Sequence, residues 1–600
     1  MKFTETTHWD FTKENITGLL FFIQRIQELA HHKSNFLEKE TNISIWEMLK
    51  EYKEILENIK EHETSQHYEK EIEIIYDEIV FNINDDDIIK SLLGDKKDKY
   101  ISGLKFNLKN IDSCIHHLDL ISFKINTYKY LEIFRTNIIN ILKNHKAKKT
   151  IKKYCDYYFK FLLYVGYQKG SISHLVNITF FNKDKSYNKI NSNDNIFLLL
   201  NYFDLKVHEF EVCFRASNIF KEIENECNKF NIDVIDTFTA KYIPQTEKKF
   251  FKNQQKRQKT FLFCKSIKAM DYLHAVKIAS QNITTLTNLI KVFYHRNIQW
   301  ISDDCLVYYP SKKNVIAAYN ENNFMLNTYD DIKTTQKILL PFLKSFSLKE
   351  DSFKRFKRAI DLHSLSIQSK ETSNQILNLW ICFESLLIVE KGKTHISIIE
   401  DALILITQNN YLCNIVRNLL KLIIEWDENK FNEIKSELPE NISNNSLHSL
   451  IALITLKENQ DIMNKLLKAM DNQPLLRFKI FTVINNLQDI KKIKNILKLH
   501  SQNIKNHIRR VYRVRNKIVH QGYLPKYDIF IVETAHYLID ELLDTIISKR
   551  INQVAFDSIQ NFLVEEKLIN QEHQHIINTN TDINKENFLK IIMGPDNYLK

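Results

Sequence analysis

Eight glycines and seven prolines in 600 residues leave this chain with almost no turn formers. Average sequences carry roughly 7% and 5% of the two. A chain so poor in both cannot turn often, so it is expected to be mainly α, built from long helices. The same scarcity removes whole classes of chemistry. No GxxxxGK[ST] or GxGxxG occurs, and the closest glycines are Gly166 and Gly170. A phosphate cradle of the P-loop or Rossmann kind needs backbone to approach phosphate closely, and nothing here permits that. A GxSxG nucleophile elbow is absent too.

Length sets a prior of three or four domains, and 44% hydrophobic residues supply enough material for their cores. Apolar residues recur at three and four positions from about 13 to 165, as in Leu19, Ile23, Ile26 and Leu29. A polar stretch at 183–195 reads as a loop, and helical patterns resume at 203–230 and 260–295. Residues 297–320 differ. Trp300, Leu306, Tyr308 and Tyr309 precede Pro310, and Val315, Ile316 and Tyr319 follow a short polar turn, which predicts a β-hairpin. The division expected is a mostly helical region at 1–345 with a break near 183–200, a helical unit at 346–550, and a polar tail at 551–600. Eight scattered cysteines without CxxC fit reduced thiols and give no zinc framework. No apolar run approaches membrane-spanning length, so a cytoplasmic protein without a membrane partner is expected.

The net charge of +11 is concentrated in one place. Residues 490–527 hold Lys491, Lys492, Lys494, Lys498, Lys505, Arg509, Arg510, Arg513, Arg515, Lys517 and Lys526, and no acid. Such a run costs self-repulsion unless an anion offsets it, and a nucleic-acid backbone is the obvious anion. Lys491, Lys494, Lys498, Lys505, Arg509, Arg510, Arg513 and Lys517 are therefore the candidate RNA-binding residues. Weaker basic runs lie at 143–153 and 248–259.

The same segment ends in Arg515-Asn516-Lys517-Ile518-Val519-His520. Its apolar stripe Ile504, Ile508, Val511 and Ile518 has Arg515 as the missing member, and an inward arginine needs a partner or an anion. Asn516 and His520 stand four apart, on neighbouring faces. Gly522 is placed to end the helix, which puts His520 in the last turn, where the dipole favours imidazolium. Spacing alone says little, because Arg358 and His363 share it and Arg25 and His31 nearly do. Context separates Arg515 and His520: a polar Asn516, an acid-free basic helix and a glycine stop. A second helix, 376–389, is apolar nearly all round with Glu384 as its only charge, which makes Glu384 a candidate partner for Arg515.

LWICFESLL followed by RVRNKIVHQG resembles the Apea-like HEPN family, helical ribonuclease modules of bacterial anti-phage and toxin systems. The resemblance spans roughly 350–550, with helical insertions at about 395–490. It implies a metal-independent endoribonuclease without a cofactor, acting as a homodimer or higher even oligomer in abortive infection. Arg515 would hold the scissile phosphate and His520 would activate the ribose 2′-OH. Asn516 would orient the substrate or His520, and Glu384 would support. Positions 515 and 520 are about 140° apart on an ideal helix, so a composite site from two copies is expected. By analogy the substrate is a structured RNA such as a tRNA, and residues 1–345 sense a phage-derived trigger. Two alternatives stand beside this. One is a polymerase-like, reverse-transcriptase-like N-terminal domain using Asp303, Asp304 and Asp236 for metal; the other is a non-catalytic RNA-binding or antitoxin module. The histidine pairs His31-His32, His116-His117 and His573/His575 have no acid or cysteine at ligand spacing and read as surface residues, so no metal site is expected.

Overall fold

A computed structural model of the chain describes residues 9–31, 43–62, 69–107, 110–181, 189–235, 260–293, 301–312, 314–319, 336, 340–344, 348–388, 394–522, 524–525, 527–551 and 556–595. The fold is mainly α, with one antiparallel sheet. Helix α1 (Thr17–Ala30) carries Leu19, Leu20, Phe21, Phe22 and Ile23 in succession and is buried on all sides. Around it pack α4 (Lys148–Val165), α5 (Lys169–Phe180) and, from far along the chain, α10 (Pro474–Leu487). Between α1 and α4, α2 (Ile45–His62) and α3 (Glu69–Asp85) pack on each other.

The C-terminal half centres on α7 (Glu350–Gln368), α8 (Thr372–Leu387), α11 (Ile490–Gln521) and α12 (Asp528–Ile551), which pack as a bundle. Trp380 of α8 lies 5.2 Å from the ring of Tyr512 on α11, and the Cys382 thiol donates to Ala359 O of α7. Between α8 and α10 runs α9 (His395–Lys435), broken at Asp427, whose extended backbone stops one helix while its carboxylate accepts from Lys430 N to start the next.

The apolar cores do not follow the expected division at residue 345. One contiguous core takes Leu19, Phe22, Tyr52, Ile75 and Phe161 from the first 205 residues, together with Trp380, Phe383, Ile508, Val511, Leu538 and Phe562. A second core joins the expected insertion (Leu412, Val416, Leu450, Leu466, Ile480) to Ile577, Phe588 and Ile592. The segment expected as a polar tail is therefore folded: α13 (Ile559–Thr579) and α14 (Phe588–Met593) close that core, and His573, read as a surface residue, is buried on Ile591 O at 2.8 Å. Its apolar residues are spread through polar text, which hid the stripe.

A third core lies under the sheet. Strands β1 (His208–Ala216), β2 (Ile232–Ile235), β3 (Thr260–Ala269), β4 (Ile301–Tyr309) and β5 (Asn314–Tyr319) pair in the order β2-β3-β1-β4-β5, with α6 (Tyr272–Phe293) on one face. The expected hairpin is there as β4 and β5, paired Tyr308 to Val315 and Tyr309 to Asn314. Three further strands occupy text expected to be helical or left unassigned. Phe210, Val212, Phe214 and Ala216 alternate inward on β1, but Cys213 is buried on the opposite face, which blurs the two-residue period. The first four strands and the helical segments between them follow a β-α-β-β-α-β path ordered β4-β1-β3-β2, the ferredoxin-like arrangement. Among the described residues no helix is long and apolar enough to cross a membrane, and all eight cysteines are unbridged and buried.

Candidate active site

Helix α11 contains three zones. Its first turns present Lys491, Lys494 and Lys498 to solvent with no carboxylate partner among the described residues, as a basic surface requires. Its last turns carry Arg515, Asn516 and His520. The middle departs from the sequence reading.

Arg509, Arg510, Arg513 and Lys517 are buried, with Arg510 fully inaccessible. Their anions are glutamates of this chain. Arg510 donates to Glu51 of α2 at 3.1 Å and to Glu78 of α3 at 2.5 Å. Arg513 donates to Glu51 at 2.9 Å and to Glu71 of α3. Arg509 bridges Glu71 at 2.6 Å and Glu400 of α9 at 2.7 Å. Lys517 binds Glu54 of α2, and half-buried Lys505 sits 3.7 Å from Glu400. Five cations thus face five carboxylates. Burial pushes the Glu51 carboxyl up, but Arg513, Arg510 and Lys517 outweigh it and hold it down at about 2. Beside them His507 is driven down to about 3 by burial and then by Arg510. The assignment of Arg509, Arg510, Arg513 and Lys517 to RNA is corrected here: intramolecular carboxylates occupy them, and no surface is left for phosphate. The acid-free run does have its anions, but four of the five come from helices more than 400 positions away in sequence, and the fifth, Glu400, from over 100. The signal that could have found it is the spacing of Glu51 and Glu54, and of Glu71 and Glu78, at three and seven positions on amphipathic helices.

The end of α11 follows the sequence reading more closely. Gly522 caps the helix in the left-handed region at φ 63°, its N–H donating to Ile518 O and Lys517 O. His520 is exposed in the last turn. Arg515 is half-buried and donates from Nη1 to Asn516 Oδ1 at 3.0 Å; among the described residues no carboxylate lies within ion-pair distance of it. The pairing expected with Glu384 is absent. Glu384 instead accepts from the indole N–H of Trp380, one turn earlier on α8, at 2.8 Å and lies 3.9 Å from His395. Its side chain is 28% exposed, so solvent and the indole satisfy it and no arginine is needed.

No family model, curated protein or solved structure matches this chain.

Elsewhere, Asp303 and Asp304 are successive residues of β4 and so point to opposite faces of the sheet. Asp303 binds Lys370 at 2.6 Å and Asp304 binds Arg215 at 2.9 Å, and Asp236 lies outside the described residues. The 248–259 basic run also lies outside them. In the 143–153 run, Lys152 pairs with Asp156, and Lys153 with Asp87. Arg25, of the looser Arg/His match, is buried on Asp156 and Glu28 at 2.7 Å each.

Proposed function

We propose that this chain is a metal-independent endoribonuclease of bacterial anti-phage defence, acting as a dimer through Arg515, Asn516 and His520. The observation that carries the reading is the difference among the arginines of α11. Arg509, Arg510 and Arg513 are each committed to glutamates, whereas among the described residues Arg515, two positions on from Arg513, is held only by Asn516 and keeps its remaining donors. A guanidinium held by a neutral amide at a solvent-facing helix end suits an arriving phosphate. The family resemblance and the exposed His520 support the same assignment.

In this reaction the His520 imidazole takes the proton of the ribose 2′-OH. The freed oxygen attacks the adjacent phosphorus, and the bond to the 5′-oxygen breaks. That oxygen leaves with a proton from an imidazolium, and the other product ends in a 2′,3′-cyclic phosphate. Arg515 offsets the charge that grows on the non-bridging oxygens. DNA lacks the nucleophile and is spared. Two copies set about a two-fold axis let Arg515 of one act with His520 of the other, which removes the awkward angle between positions 515 and 520 on one helix. In the wider reading the substrate is a structured RNA such as a tRNA, and the first 345 residues hold the enzyme until a phage-derived signal arrives. The glutamates of α2 and α3, bound directly to the motif-bearing helix, supply the mechanical link for such control.

The test is a mixed dimer of full-length R515A and H520A chains. A composite site predicts two inactive homodimers and partial recovery in the mixture, where one of two sites is whole. A mixture as inactive as its parents, with a monomeric mass in solution, contradicts it. RNA binding by H520A without cleavage is expected; unchanged toxicity of H520A in cells would instead favour a binding module.

A further inference from the structure

Helices α7 and α12 meet at a polar cluster that the nuclease reading does not use. One ring nitrogen each of His363 and His536 and one carboxylate oxygen of Asp540 all lie within 4.8 Å of one another. His363 comes from α7, while His536 and Asp540 stand four apart on one face of α12. Nε2 of His363 is 3.1 Å from Asp540 Oδ1, yet this buried nitrogen makes no hydrogen bond among the described residues. The oxygen is close but lies off the direction in which an N–H would point. Two ligands of one tetrahedral ion show the same spacing, since bonds of about 2.0–2.1 Å place them roughly 3.3 Å apart.

The surroundings are those of a held ligand set. His536 is buried, its ring 5.3 Å from that of His363 in an edge-on arrangement. Its Nε2 lies 3.2 Å from the Ser366 hydroxyl, which in turn reaches Gln375 O at the start of α8. Ligating imidazoles are characteristically oriented by an outer polar partner of this kind. One turn beyond Asp540, Asp544 is close enough to interact with the charges of both Asp540 and His363, which offers a further oxygen. Sequence reading missed the cluster because His363 is more than 170 positions from its partners.

We propose that His363, His536 and Asp540 bind one divalent transition-metal ion of the zinc class, with Asp544 or water completing the shell. Two imidazoles with one carboxylate favour such an ion over magnesium or calcium, which take oxygen ligands. The ion ties α7 to α12 and so clamps the bundle on which α11 rests. Asp540 is about 18 Å along α12 from the end nearest α11's last turn, at 1.5 Å per residue, so the ion takes no part in cleavage.

The experiment titrates the chelator-stripped full-length chain with Zn²⁺ alone by calorimetry, and with Co²⁺ while following its visible absorption. The expected result is one Zn²⁺ per chain, a higher melting temperature on loading, and a Co²⁺ band typical of mixed nitrogen and oxygen ligation. His363→Gln and Asp540→Asn each weaken Zn²⁺ binding by about 100-fold or more, and Ser366→Ala by about tenfold. His520→Ala binds as the parent does, which separates this site from the nuclease motif. Circular dichroism confirms that each variant is folded, and the Co²⁺ spectrum of the parent stands by itself if one is not. Absence of stoichiometric uptake by the parent overturns the proposal, as does unchanged affinity in both H363Q and D540N.

Discussion

Arg510 has no accessible surface and, among the described residues, no ion-pair partner except Glu51 and Glu78, so its worth depends on what is removed with it. Truncating one member of a buried ion pair strands the other, at a cost of about 3–5 kcal/mol. Arg510→Ala is predicted to lower the unfolding free energy by that amount in urea titration. Arg510→Met combined with Glu51→Gln and Glu78→Gln should recover most of it, because no charge is then left without a partner. An equal loss in the triple variant would show that the charges themselves stabilise the fold. His507 sets a pH dependence on the same helix. Its folded pKa of about 3 lies below the unfolded value of roughly 6.5, so the native state binds fewer protons. Its contribution is complete above the unfolded value and is lost as pH falls from there through about 3. Glu51, also depressed, acts with the same sign at lower pH, from the ordinary carboxylate range down through about 2. His507→Asn should therefore compare better with the parent at pH near 4.5 than near 7.5 when melting temperatures are measured.

At the scale of an element, α11 shows what a sequence can and cannot disclose. Its apolar stripe, its glycine stop and the terminal position of His520 were all legible, because each depends on local period and backbone conformation. The fate of its cations was not, because charge offset depends on which distant helices pack against it. The first three strands of the sheet were missed for a related reason: β1 and β3 bury residues on both faces, so alternation between polar and apolar is incomplete. The corrected charge map changes which residues the proposed RNA substrate would touch. Lys498 is about 26 Å from Arg515 along the helix, with the buried network between them. Replacing Lys491, Lys494 and Lys498 with Gln is thus predicted to leave cleavage of a short oligonucleotide unchanged while weakening binding of long RNA. The slope of log affinity against log salt should fall by about 2 units for single-stranded RNA. Equal loss on short and long substrates would place those lysines at the motif.

Across the whole molecule the first 205 residues and the C-terminal bundle share one apolar core and one ion network. A fragment covering 346–560 would lose Glu51, Glu71 and Glu78 and expose the face of α11 that α2 and α3 cover. It is predicted to be insoluble or to lack a cooperative melt, and a well-folded fragment would contradict the shared core. In the proposed function, control would then work within an intact chain, by loosening α2 and α3 from α11 rather than by shedding a domain. The helices of the C-terminal half were legible through their apolar stripes, whereas their integration with the N-terminal region was not, because the contacts joining them are spread over 400 positions with no local signature. The central claim remains the chemistry at Arg515 and His520, and the most direct measurement is the 3′ ends left on RNA by the purified full-length chain with a chelator present. The account predicts 2′,3′-cyclic phosphate ends from the parent and a loss of about 10²–10⁴-fold in rate for H520A. Cleavage that requires added metal, leaves 3′-hydroxyl ends, or proceeds undiminished in H520A would contradict it.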